Sequence, residues 1–506
     1  MIKKEEIILK CQKSKISEHC QNYEIILKSG IEIHQQIDTG KLFCRCPSIL
    51  RQDKPDYEIE RKLHIVAGES GEIDKAVRFE AGKEKKFVYQ GYYDNTCLVE
   101  LDEEPPHLIN EDALKIALQI SLLLNCEIIQ NSQIMRKTVI DGSNVSGFQR
   151  TVLIARNGYV ETAQGKVGIQ SVMLEEDAAR PAGQDENKDN IKTYKIDRLG
   201  IPLVEIATMP DIKNPEQAKE AALHIGEILR ACKVRRGLGT IRQDVNMSIK
   251  ILDGKKEKIS ARIEIKGVQE PALIVKTLES EMKRQEKLVK ENKSEAEVRK
   301  AEEDGSTTFL RPLPGAARMY PETDLPLLHI SRELINEAKK ELPRMRHEIK
   351  QELKQEGLSD EMINLILQEN KLSEYRELLG IYNKPDLIAK MLVLWKKEIS
   401  SHEKISEKKV EDKLTLDVLE SIINLIRDKK LDESQAKKIM EDIVKGKEIN
   451  EALKIEKIEN LEDEVLKIVK EKPGLNLNAY MGLVMAKFKG KVSGKEVAEI
   501  LRKIVK

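Results

Sequence analysis

The sequence predicts an α+β protein in which a large, mainly antiparallel sheet is followed by a helical region. Up to about residue 330, short segments alternate apolar and polar residues, which is typical of strands with one buried face. From Ser331 to the end, the apolar spacing is helical almost throughout. The strand candidates are GIEIHQQI (30–37), TVLIARNGYVET (151–162), IPLVEIAT (201–208), TIRQDVNMSIKI (240–251) and ARIEIKG (261–267).

Two helices are expected among these strands, at 110–125 and 215–232, because apolar residues recur three and four positions apart. Pro215 suits the first turn of the second helix. Asn157-Gly158 stands between two apolar runs and predicts a hairpin turn. The charged stretch 278–305 predicts a solvated helix with ion pairs four residues apart.

The chain of 506 residues is long enough for several domains. We predict an N-terminal extension (1–29), a sheet-containing domain (30–330), a helical domain (331–440) and a small helical tail domain (441–506), where the pattern restarts after KGKEIN.

Composition excludes several classes of protein. Lys+Arg and Asp+Glu both number 87, so the formal net charge is zero and overall charge does not favour a polyanion-coating protein. No run approaches the ~20 apolar residues of a membrane span, and the N-terminus has no secretory core. Seven cysteines in a chain of this length argue for a reducing compartment. We therefore expect a cytoplasmic protein that does not enter a membrane.

Polar residues share one face of several predicted strands, because residues i and i+2 of a strand point the same way. A solvated face explains one such strand, whereas four together indicate a common functional surface. Histidine with several carboxylates suits a hard divalent cation such as Mg²⁺ or Mn²⁺. The residues are Glu32 with His34, Arg242 with Asp244, Glu264 with Lys266, and Glu205, which interrupts an apolar run.

Two further segments have both a structural and a functional interpretation. Glu175, Glu176 and Asp177 form either an acidic turn after a strand or metal ligands at its end. The segment RRGLGTIRQD, with Arg236, Gly237 and Gly239, is either a glycine-rich entry to a strand or a phosphate contact. Neither a P-loop nor a GxGxxG motif after a strand is present, so a phosphate group would have to be bound by a different structural element.

The Cys44-Arg45-Cys46 pair suggests a zinc site, which usually needs four ligands in two close pairs. The later candidates in this region, Cys97 with His64 or His107, do not form such a pair. We therefore expect two free thiols and no zinc. The sequence also lacks the G-x-S-x-G motif of serine hydrolases.

Eight long motifs from about Gly30 onwards resemble the GatB/GatE family, the tRNA-binding, phosphorylating subunits of glutamyl-tRNA(Gln) amidotransferase. HQQ, IDGSNVSGFQRT and RPLPGAARMYPETD resemble the archaeal E-type member most. An aspartyl-tRNA-synthetase-like insertion, usual in E-type members, is missing, so a compact E-type member and a B-type member with E-like motifs both stay open. The motifs are GIEIHQQIDTGKLFCRCPS, YYDNTCLVELDEEPPH, MRKTVIDGSNVSGFQRT, LEEDAAR, DRLGIPLVEIATMPDI, RRGLGTIRQDVNMSI, ARIEIKGVQE and RPLPGAARMYPETD.

The resemblance implies that ATP phosphorylates the γ-carboxylate of glutamate on tRNA(Gln) and that ammonia from a partner, here an asparaginase-like amidase, displaces the phosphate. It makes 30–330 a catalytic cradle domain that uses ATP and Mg²⁺. Zinc becomes less expected, because related B-type members hold it with CxC plus a CxxC that this chain lacks. The tail resembles a YqeY-like domain, whose basic patch for RNA would be Lys487, Lys489, Lys491 and Lys495.

Roles for the polar strand residues follow from the same resemblance. Glu32, His34, Glu175 and Glu176 are expected to bind the metal ion. Glu205, Asp244 and Glu264 are further ligands or ammonia guides. Arg242 and Lys266 neutralise phosphate, and Arg236, Gly237, Gly239 and Arg242 contact the nucleotide.

Three alternatives remain at this stage. A B-type member would act on Glu-tRNA(Gln), on Asp-tRNA(Asn) or on both. A tRNA-binding scaffold would show no tRNA-dependent ATP turnover. A ligase for a free small acid would turn over without tRNA and would leave the helical half of the chain unexplained.

Overall fold

The computed structural model describes residues 23–447, 452, 461–488 and 494–504, apart from short gaps at 69–70, 84, 184–189, 238, 255 and 316–317. Contacts divide the chain into two units, Met1–Met345 and Arg346–Lys506. Most of the predicted N-terminal extension lies outside the described residues, and the first strand already begins at Glu24. The predicted domain boundaries at 330 and 440 stay predictions.

The first unit contains the strands and five helices. Its strands are β1 (Glu24–Gln36), β2 (Tyr57–Arg61), β3 (Lys86–Gly91), β4 (Glu127–Ile128), β5 (Asn131–Ser132), β6 (Ile134–Thr138), β7 (Phe148–Thr162), β8 (Gly165–Glu176), β9 (Arg180–Pro181), β10 (Ile191–Lys195), β11 (Pro202–Thr208), β12 (Ile241–Asp253), β13 (Lys256–Ile259), β14 (Ile263–Lys266), β15 (Glu297–Ala301), β16 (Thr307–Pro312), β17 (Met319–Pro321) and β18 (Leu328–His329). Its helices are α1 (Lys75–Ala81), α2 (Glu111–Leu123), α3 (Pro215–Ala231), α4 (Pro271–Lys290) and α5 (Arg332–Lys340).

A twelve-stranded sheet dominates this unit, in the order β16-β15-β14-β12-β1-β11-β8-β7-β6-β17, with β13 beside β12 and β4 beside β7. Every pairing in it is antiparallel except β14 with β15. The expected large, mainly antiparallel sheet is therefore confirmed, and the five predicted strands are β1, β7, β11, β12 and β14. Smaller sheets follow the orders β2-β3-β10-β9 and β18-β5.

The apolar face of the large sheet is buried under α2, α3 and α4. Ile31 and Ile33 of β1 and Val245 of β12 are buried there. The two predicted helices match α2 and α3, and the Asn214 side chain caps α3 by accepting from the amide of Gln217, with Pro215 in the first turn. Because one face of the sheet forms this core, the polar residues between the buried ones point to the opposite face.

Two local predictions are wrong. Asn157-Gly158 lies inside β7, and the β7–β8 hairpin turns later, between Thr162 and Gly165. The helix predicted over 278–305 ends at Lys290, because EVRKA alternates and buries Val298 in β15.

Gly158 does not form a turn; it allows two backbone segments to lie close together. A Cβ atom at this position would lie 2.3 Å from the Cys126 sulfur and 2.4 Å from the Leu124 carbonyl oxygen. The end of α2 therefore packs against β7 only because this residue has no side chain.

The second unit is helical, as predicted. Apart from a π-helical segment (Lys390–Leu394) and a 3₁₀ turn (Glu433–Gln435), its described helices are α6 (Arg346–Gln355), α7 (Asp360–Gln368), α8 (Leu372–Ile381), α9 (Pro385–Ala389), α10 (Trp395–Glu403), α11 (Glu407–Lys413), α12 (Leu416–Arg427), α13 (Ala436–Val444), α14 (Leu461–Glu471), α15 (Leu477–Lys487) and α16 (Gly494–Ile504). Helices α6–α13 share one apolar core and α14–α16 share another. The likeness of the latter to a YqeY-like domain stays a prediction. No helix among the described residues is both long enough and apolar enough to cross a bilayer.

Replacing Gly158 by alanine should lower the free energy of unfolding by ~1–3 kcal/mol, the usual cost of overpacking. Gly82→Ala is the control, since a Cβ there would have its nearest neighbours at 3.6 and 3.7 Å. Denaturant unfolding of the full chain measures both variants. Equal stability of the two would show that α2 and β7 can separate at no cost.

Candidate active site

The polar face of β1 lies at the middle of the large sheet. His34 is paired across the strands with Glu205 of β11 on one side and Arg242 of β12 on the other. Glu32 is paired with Asp244 of β12. Directly opposed residues have their Cβ atoms ~5 Å apart. Antiparallel register therefore brings together side chains that are some 170 to 210 positions apart in the chain.

A cavity of about 500 Å³ opens over this face. It contains most of the residues predicted from the sequence, namely Glu32, His34, Glu175, Glu205, Arg242, Asp244, Glu264 and Lys266. It also contains residues that the sequence analysis did not single out as site residues, among them Asp74, Lys137, Asp141, Gln149, Arg262, Gln269, Arg311 and Arg318.

Glu32, His34 and Glu205 form a cluster of possible metal ligands in the cavity. One ligand atom from each lies within 4.8 Å of the others. The Nε2 atom of His34 is 3.5 Å from Glu32 Oε1 and 3.3 Å from Glu205 Oε2. Two carboxylates and an imidazole suit a hard divalent cation. Glu205, which the sequence left as a further ligand or an ammonia guide, thus lies in the central cluster.

The same proximity shifts the pKa values of all three groups. Burial, reinforced by the negative charge of Glu205, raises the pKa of Glu32 from 4.5 to about 7. Burial lowers the pKa of His34, but the hydrogen bond and charge of Glu205 outweigh it, so the pKa of His34 is raised. Burial opposes ionisation of Glu205, yet Lys137 and His34 outweigh it and hold its pKa well below the usual range.

The side chain of Lys137 in β6 lies beside the cluster of Glu32, His34 and Glu205. Its Nζ atom is 2.6 Å from Glu175 Oε1 and 3.5 Å from Glu205 Oε2. Glu175 is fully engaged, since Gln149 and Thr151 donate to its two oxygens at 3.0 and 2.9 Å. Burial raises the pKa of Glu175, and the nearby Glu205 adds to the shift. Glu175 therefore borders the cluster of Glu32, His34 and Glu205 and orients Lys137, and its assignment as a metal ligand stays a prediction.

Glu176 is placed differently from its prediction as a metal ligand. It points to the other face of β8, as adjacent strand residues must. It accepts from the Arg150 backbone amide at 3.2 Å, and the Arg150 guanidinium also bonds Glu322 at 2.8 Å. Because Glu176 does not line the cavity and is already paired, its assignment as a metal ligand is wrong.

Asp177 fixes the direction of Arg242. This buried carboxylate accepts from Arg242 Nη2 at 2.8 Å and from Gln36 Nε2 at 2.6 Å, and Arg198 lies 3.8 Å away. The Arg242 guanidinium is thereby held at the cavity wall with part of its donor set still available.

Lys266 is the second anchored cation of the cavity. Its Nζ atom lies 2.7 Å from Asp244 and 2.6 Å from Glu264. Burial lowers its pKa, but these two carboxylates and Glu32 outweigh burial and raise it. Lys266 is therefore charged at neutral pH, as a phosphate-neutralising group must be.

Three arginines of the cavity have no ion-pair partner within the described part of the chain. Among the described residues, Arg262, Arg311 and Arg318 have no carboxylate within ion-pair distance. Arg318 is close enough to Lys137 for its positive charge to oppose protonation of that lysine. Unpaired guanidiniums facing one cavity indicate a ligand with several negative charges.

The predicted phosphate loop lies elsewhere. Arg236, Gly237 and Gly239 do not line the cavity, and the Arg236 guanidinium donates to the Arg230 carbonyl at 3.3 Å. Both glycines have positive φ, 121° and 79°, so the loop before β12 needs them for its turn. The structure thus favours a strand entry for this segment and gives the nucleotide role no geometric support.

The cysteine pair lies close to Cys97, which the sequence analysis considered, and to Glu100, which it missed. Ligand atoms of Cys44, Cys46, Cys97 and Glu100 all lie within 4.8 Å of one another. Hydrogen bonds from the thiols of Cys44 and Cys97 lower the pKa of Cys46 to about 4. The expected absence of zinc stays a prediction, although Glu100 adds a possible fourth ligand that the sequence analysis did not consider.

The predicted RNA-binding lysines are only partly described. Lys487 ends α15 and pairs with Glu464 at 3.1 Å. Lys489 and Lys491, and the side chain of Lys495, lie outside the described residues. The basic patch stays a prediction.

Comparison with known proteins finds a family model, the GatB/GatE catalytic domain, that matches residues 27–336. A relative from Methanocaldococcus jannaschii, named as the E-type component of glutamyl-tRNA(Gln) amidotransferase, is 38% identical across 96% of this chain and 99% of its own length. Proteins of the same name from Methanococcus maripaludis strain S2 and Thermococcus sibiricus are each 35% identical, across 95% and 94% of this chain and 98% and 97% of their own lengths.

This chain is shorter than those relatives, which is the sense in which a compact E-type member was predicted. The alignment with the Methanocaldococcus jannaschii protein runs over 645 positions, whereas this chain has 506 residues, so at least 139 of the positions have no residue here. The predicted compactness is confirmed. The identity of the missing part as an aspartyl-tRNA-synthetase-like insertion stays a prediction.

The raised pKa of Glu32 predicts a pH-dependent stability of the metal-free protein. A carboxyl whose folded-state pKa is raised stabilises the fold fully below its unfolded pKa, and this contribution is lost as the pH rises through the folded pKa. In a chelator, the free energy of unfolding should fall by ~1–3 kcal/mol from about pH 5 to about pH 8, relative to Glu32→Gln. Glu161→Gln, on the exposed part of β7, is the control. Parallel pH curves for wild type and Glu32→Gln would contradict a buried acid at this position.

Proposed function

This chain belongs to the GatB/GatE family, and we propose that it is the component of a tRNA-dependent amidotransferase that converts Glu-tRNA(Gln) to Gln-tRNA(Gln). In this proposal ATP activates the γ-carboxylate of the glutamyl group, and ammonia from an asparaginase-like partner amidase replaces the phosphate. The observation that carries the proposal is the cavity itself. It combines a cation-binding cluster with anchored and unpaired positive groups on one sheet face.

The reaction needs activation because a carboxylate has no good leaving group. A γ-carboxylate oxygen attacks the terminal phosphorus of ATP, and ADP leaves. The ammonia lone pair then attacks the carbonyl carbon, phosphate leaves, and the nitrogen loses a proton. Such transfers depend on positioning and charge neutralisation rather than on covalent help from the protein.

Different residues of the cavity have different proposed roles in this reaction. Glu32, His34 and Glu205 would hold Mg²⁺, which supplies positive charge beside the phosphates when bound. Arg242, held by Asp177, and Lys266, held by Asp244 and Glu264, present fixed cations to the transferred phosphoryl group.

The carboxylate oxygens of Asp244 and Glu264 also form a place where the incoming ammonia can bind. Both carboxylates lie at the cavity wall beside Lys266. An incoming ammonium ion can be bound by such oxygens and lose a proton to them before attack. This assigns the two carboxylates a guiding role and leaves metal binding to the central cluster.

We further propose that Arg262, Arg311 and Arg318 bind the phosphates of ATP. They are the cavity's guanidiniums without a carboxylate partner among the described residues. Guanidinium groups form strong, bidentate charge-assisted hydrogen bonds with phosphate oxygens, so three of them facing one cavity suit a triphosphate. The helical second unit and its tail are proposed to bind the tRNA, and the reaction is placed in the cytoplasm, where tRNA is charged.

The function is tested with labelled Glu-tRNA(Gln), ATP and the full chain, given ammonium chloride, glutamine or asparagine as donor. Gln-tRNA(Gln) should form with ammonium, because activation needs only this chain. Neither amide should serve without a partner amidase, since the sequence has no recognisable amidase nucleophile motif. His34→Ala is the inactive control, with a loss of at least ~10–100-fold.

Two outcomes would change the assignment. Formation of product from glutamine or asparagine without a partner would contradict the proposal that a separate amidase releases the ammonia. Absence of product with ammonium, when tRNA still binds and the partner is present, would favour a tRNA-binding scaffold.

The arginine assignment is tested by Arg311→Met and Arg318→Met. Each should raise the KM for ATP by about 10–100-fold, the value of one or two charge-assisted hydrogen bonds. Affinity for Glu-tRNA(Gln) should stay within about two-fold, because phosphate contacts outside the tRNA path do not affect it. Arg156→Met, an exposed arginine of β7, is the matched control. A selective loss of tRNA affinity instead would assign these arginines to the tRNA acceptor end.

A further inference from the structure

One carboxylate of the cavity has an oxygen that the described part of the protein does not use. Nine described carboxylates line the cavity, and seven of them lie within ion-pair distance of a described lysine, arginine or histidine. Asp74 and Asp141 have no such partner in that part of the chain. Both oxygens of Asp74 are occupied, because they accept from the backbone amides of Ala76 at 2.8 Å and Gly315 at 2.6 Å. Asp141 therefore remains as a negative charge without a described counter-charge.

The Asp141 carboxylate is fixed through one oxygen only. Its Oδ1 atom accepts from the Ser143 amide at 2.9 Å and from the Ser143 hydroxyl at 2.6 Å. Its Oδ2 atom has no hydrogen-bond partner among the residues that the structure describes, and the side chain is half-buried rather than enclosed. A carboxylate can accept hydrogen bonds through both oxygens. The geometry therefore leaves Oδ2 as an acceptor for a ligand in the cavity.

Buried aromatic residues of the small β2-β3-β10-β9 sheet hold this carboxylate in place. The Tyr194 hydroxyl donates to the Asp141 carbonyl at 3.0 Å, and the Tyr89 hydroxyl donates to the Gly142 carbonyl at 2.9 Å. Gly142 has a φ of 90°, and a Cβ atom there would lie 2.1 Å from the Phe87 ring. The loop therefore follows the aromatic surface closely because it has a glycine at this position. A group that is already held in this way loses little conformational entropy when it binds a ligand.

The free acceptor suits a cationic donor, and the proposed substrate carries one. Glutamate esterified to tRNA has a free α-amino group, which a short aliphatic chain separates from the γ-carboxylate. In the proposed reaction the γ-carboxylate lies at the cluster of Glu32, His34 and Glu205, beside Lys137. Asp141 follows Lys137 by four residues, which span at most ~14 Å, and both residues line the same cavity. One glutamyl group is therefore compatible with contacts to both regions.

We propose, on the basis of the function proposed above, that Asp141 Oδ2 binds the protonated α-amino group of the glutamyl ester and so selects a free aminoacyl group over a deaminated or acylated one. The negative charge of Asp141 favours the protonated form of the amine. A neutral substituent in its place would keep at most a weaker hydrogen bond, because charge-assisted bonds are about twice as strong as neutral ones. Asp141 is thus a substrate-binding residue that takes no part in phosphoryl transfer.

The test compares Glu-tRNA(Gln) with its α-hydroxy analogue, which nitrous acid produces from the charged tRNA. The full chain receives ATP and ammonium chloride, and the labelled γ-amide product is measured. Wild type should use the analogue with a kcat/KM about 5–10-fold lower, the difference between a charged and a neutral hydrogen bond. Asp141→Asn, which keeps an acceptor for Ser143, should lower kcat/KM for Glu-tRNA(Gln) by at least ~10-fold and for the analogue by less than about three-fold. The preference for the amino substrate should therefore disappear.

Asp253→Asn, at the exposed end of β12, is the matched control and should keep the wild-type preference. Circular dichroism confirms that each variant is folded. If Asp141→Asn is not folded, Ser143→Ala replaces it, because loss of the hydroxyl releases the carboxylate from its fixed orientation. Ser143→Ala should reduce the preference about two- to three-fold, and an unchanged preference there would count against the proposal.

Three outcomes would overturn the assignment of Asp141 to the α-amino group. They are equal use of both substrates by wild type, an equal loss with both substrates in folded Asp141→Asn, and an Asp141→Asn defect that is mainly a higher KM for ammonium. Failure of wild type to form any γ-amide from Glu-tRNA(Gln), with the partner amidase present, would instead contradict the proposed function.

Discussion

The active site depends on the register of one strand. Strand β1 lies between β11 and β12 and buries Ile31 and Ile33 on one face while it presents Glu32 and His34 on the other. A slip of one residue would exchange these faces and place a histidine and a carboxylate in the apolar core. The hydrophobic core under the sheet therefore positions the proposed catalytic groups as directly as any hydrogen bond in the cavity does.

Burial of so many ionisable groups is possible because nearly every charge is compensated nearby. Lys137 lies against Glu175 and Glu205, Lys266 against Asp244 and Glu264. Breaking one such pair leaves a buried charge uncompensated and costs more than the pair contributes. Arg262, Arg311 and Arg318 have no carboxylate partner among the described residues, but they are exposed or only half-buried, so solvent screens their charge and leaves them available for an anionic ligand.

Periodicity in the sequence was enough to predict the sheet, its buried face and a shared polar surface that includes Glu32, His34 and Glu205, but it did not single out these three residues as one cluster. Glu176 was misplaced because the acidic residues of MLEEDAAR were assigned together as metal ligands at the end of a strand, whereas β8 continues through Glu176 and so turns adjacent residues to opposite faces. Lys137 lies in β6, whose sequence IMRKT does not alternate apolar and polar residues and so gave no strand pattern. Glu100 was missed because a carboxylate does not stand out among 87 acidic residues, and only the fold brings it to the cysteines.

The strand order also has a consequence for synthesis on the ribosome. Strand β1 is made first, but its neighbours β11 and β12 begin only at Pro202 and Ile241. At ~5–20 residues per second, β1 emerges on the order of ten seconds or more before either partner exists. During that interval its alternating apolar residues and free backbone groups form an open edge, which other chains could occupy. Nascent chains of this protein are therefore expected to need a holding chaperone until about half of the sequence has left the exit tunnel.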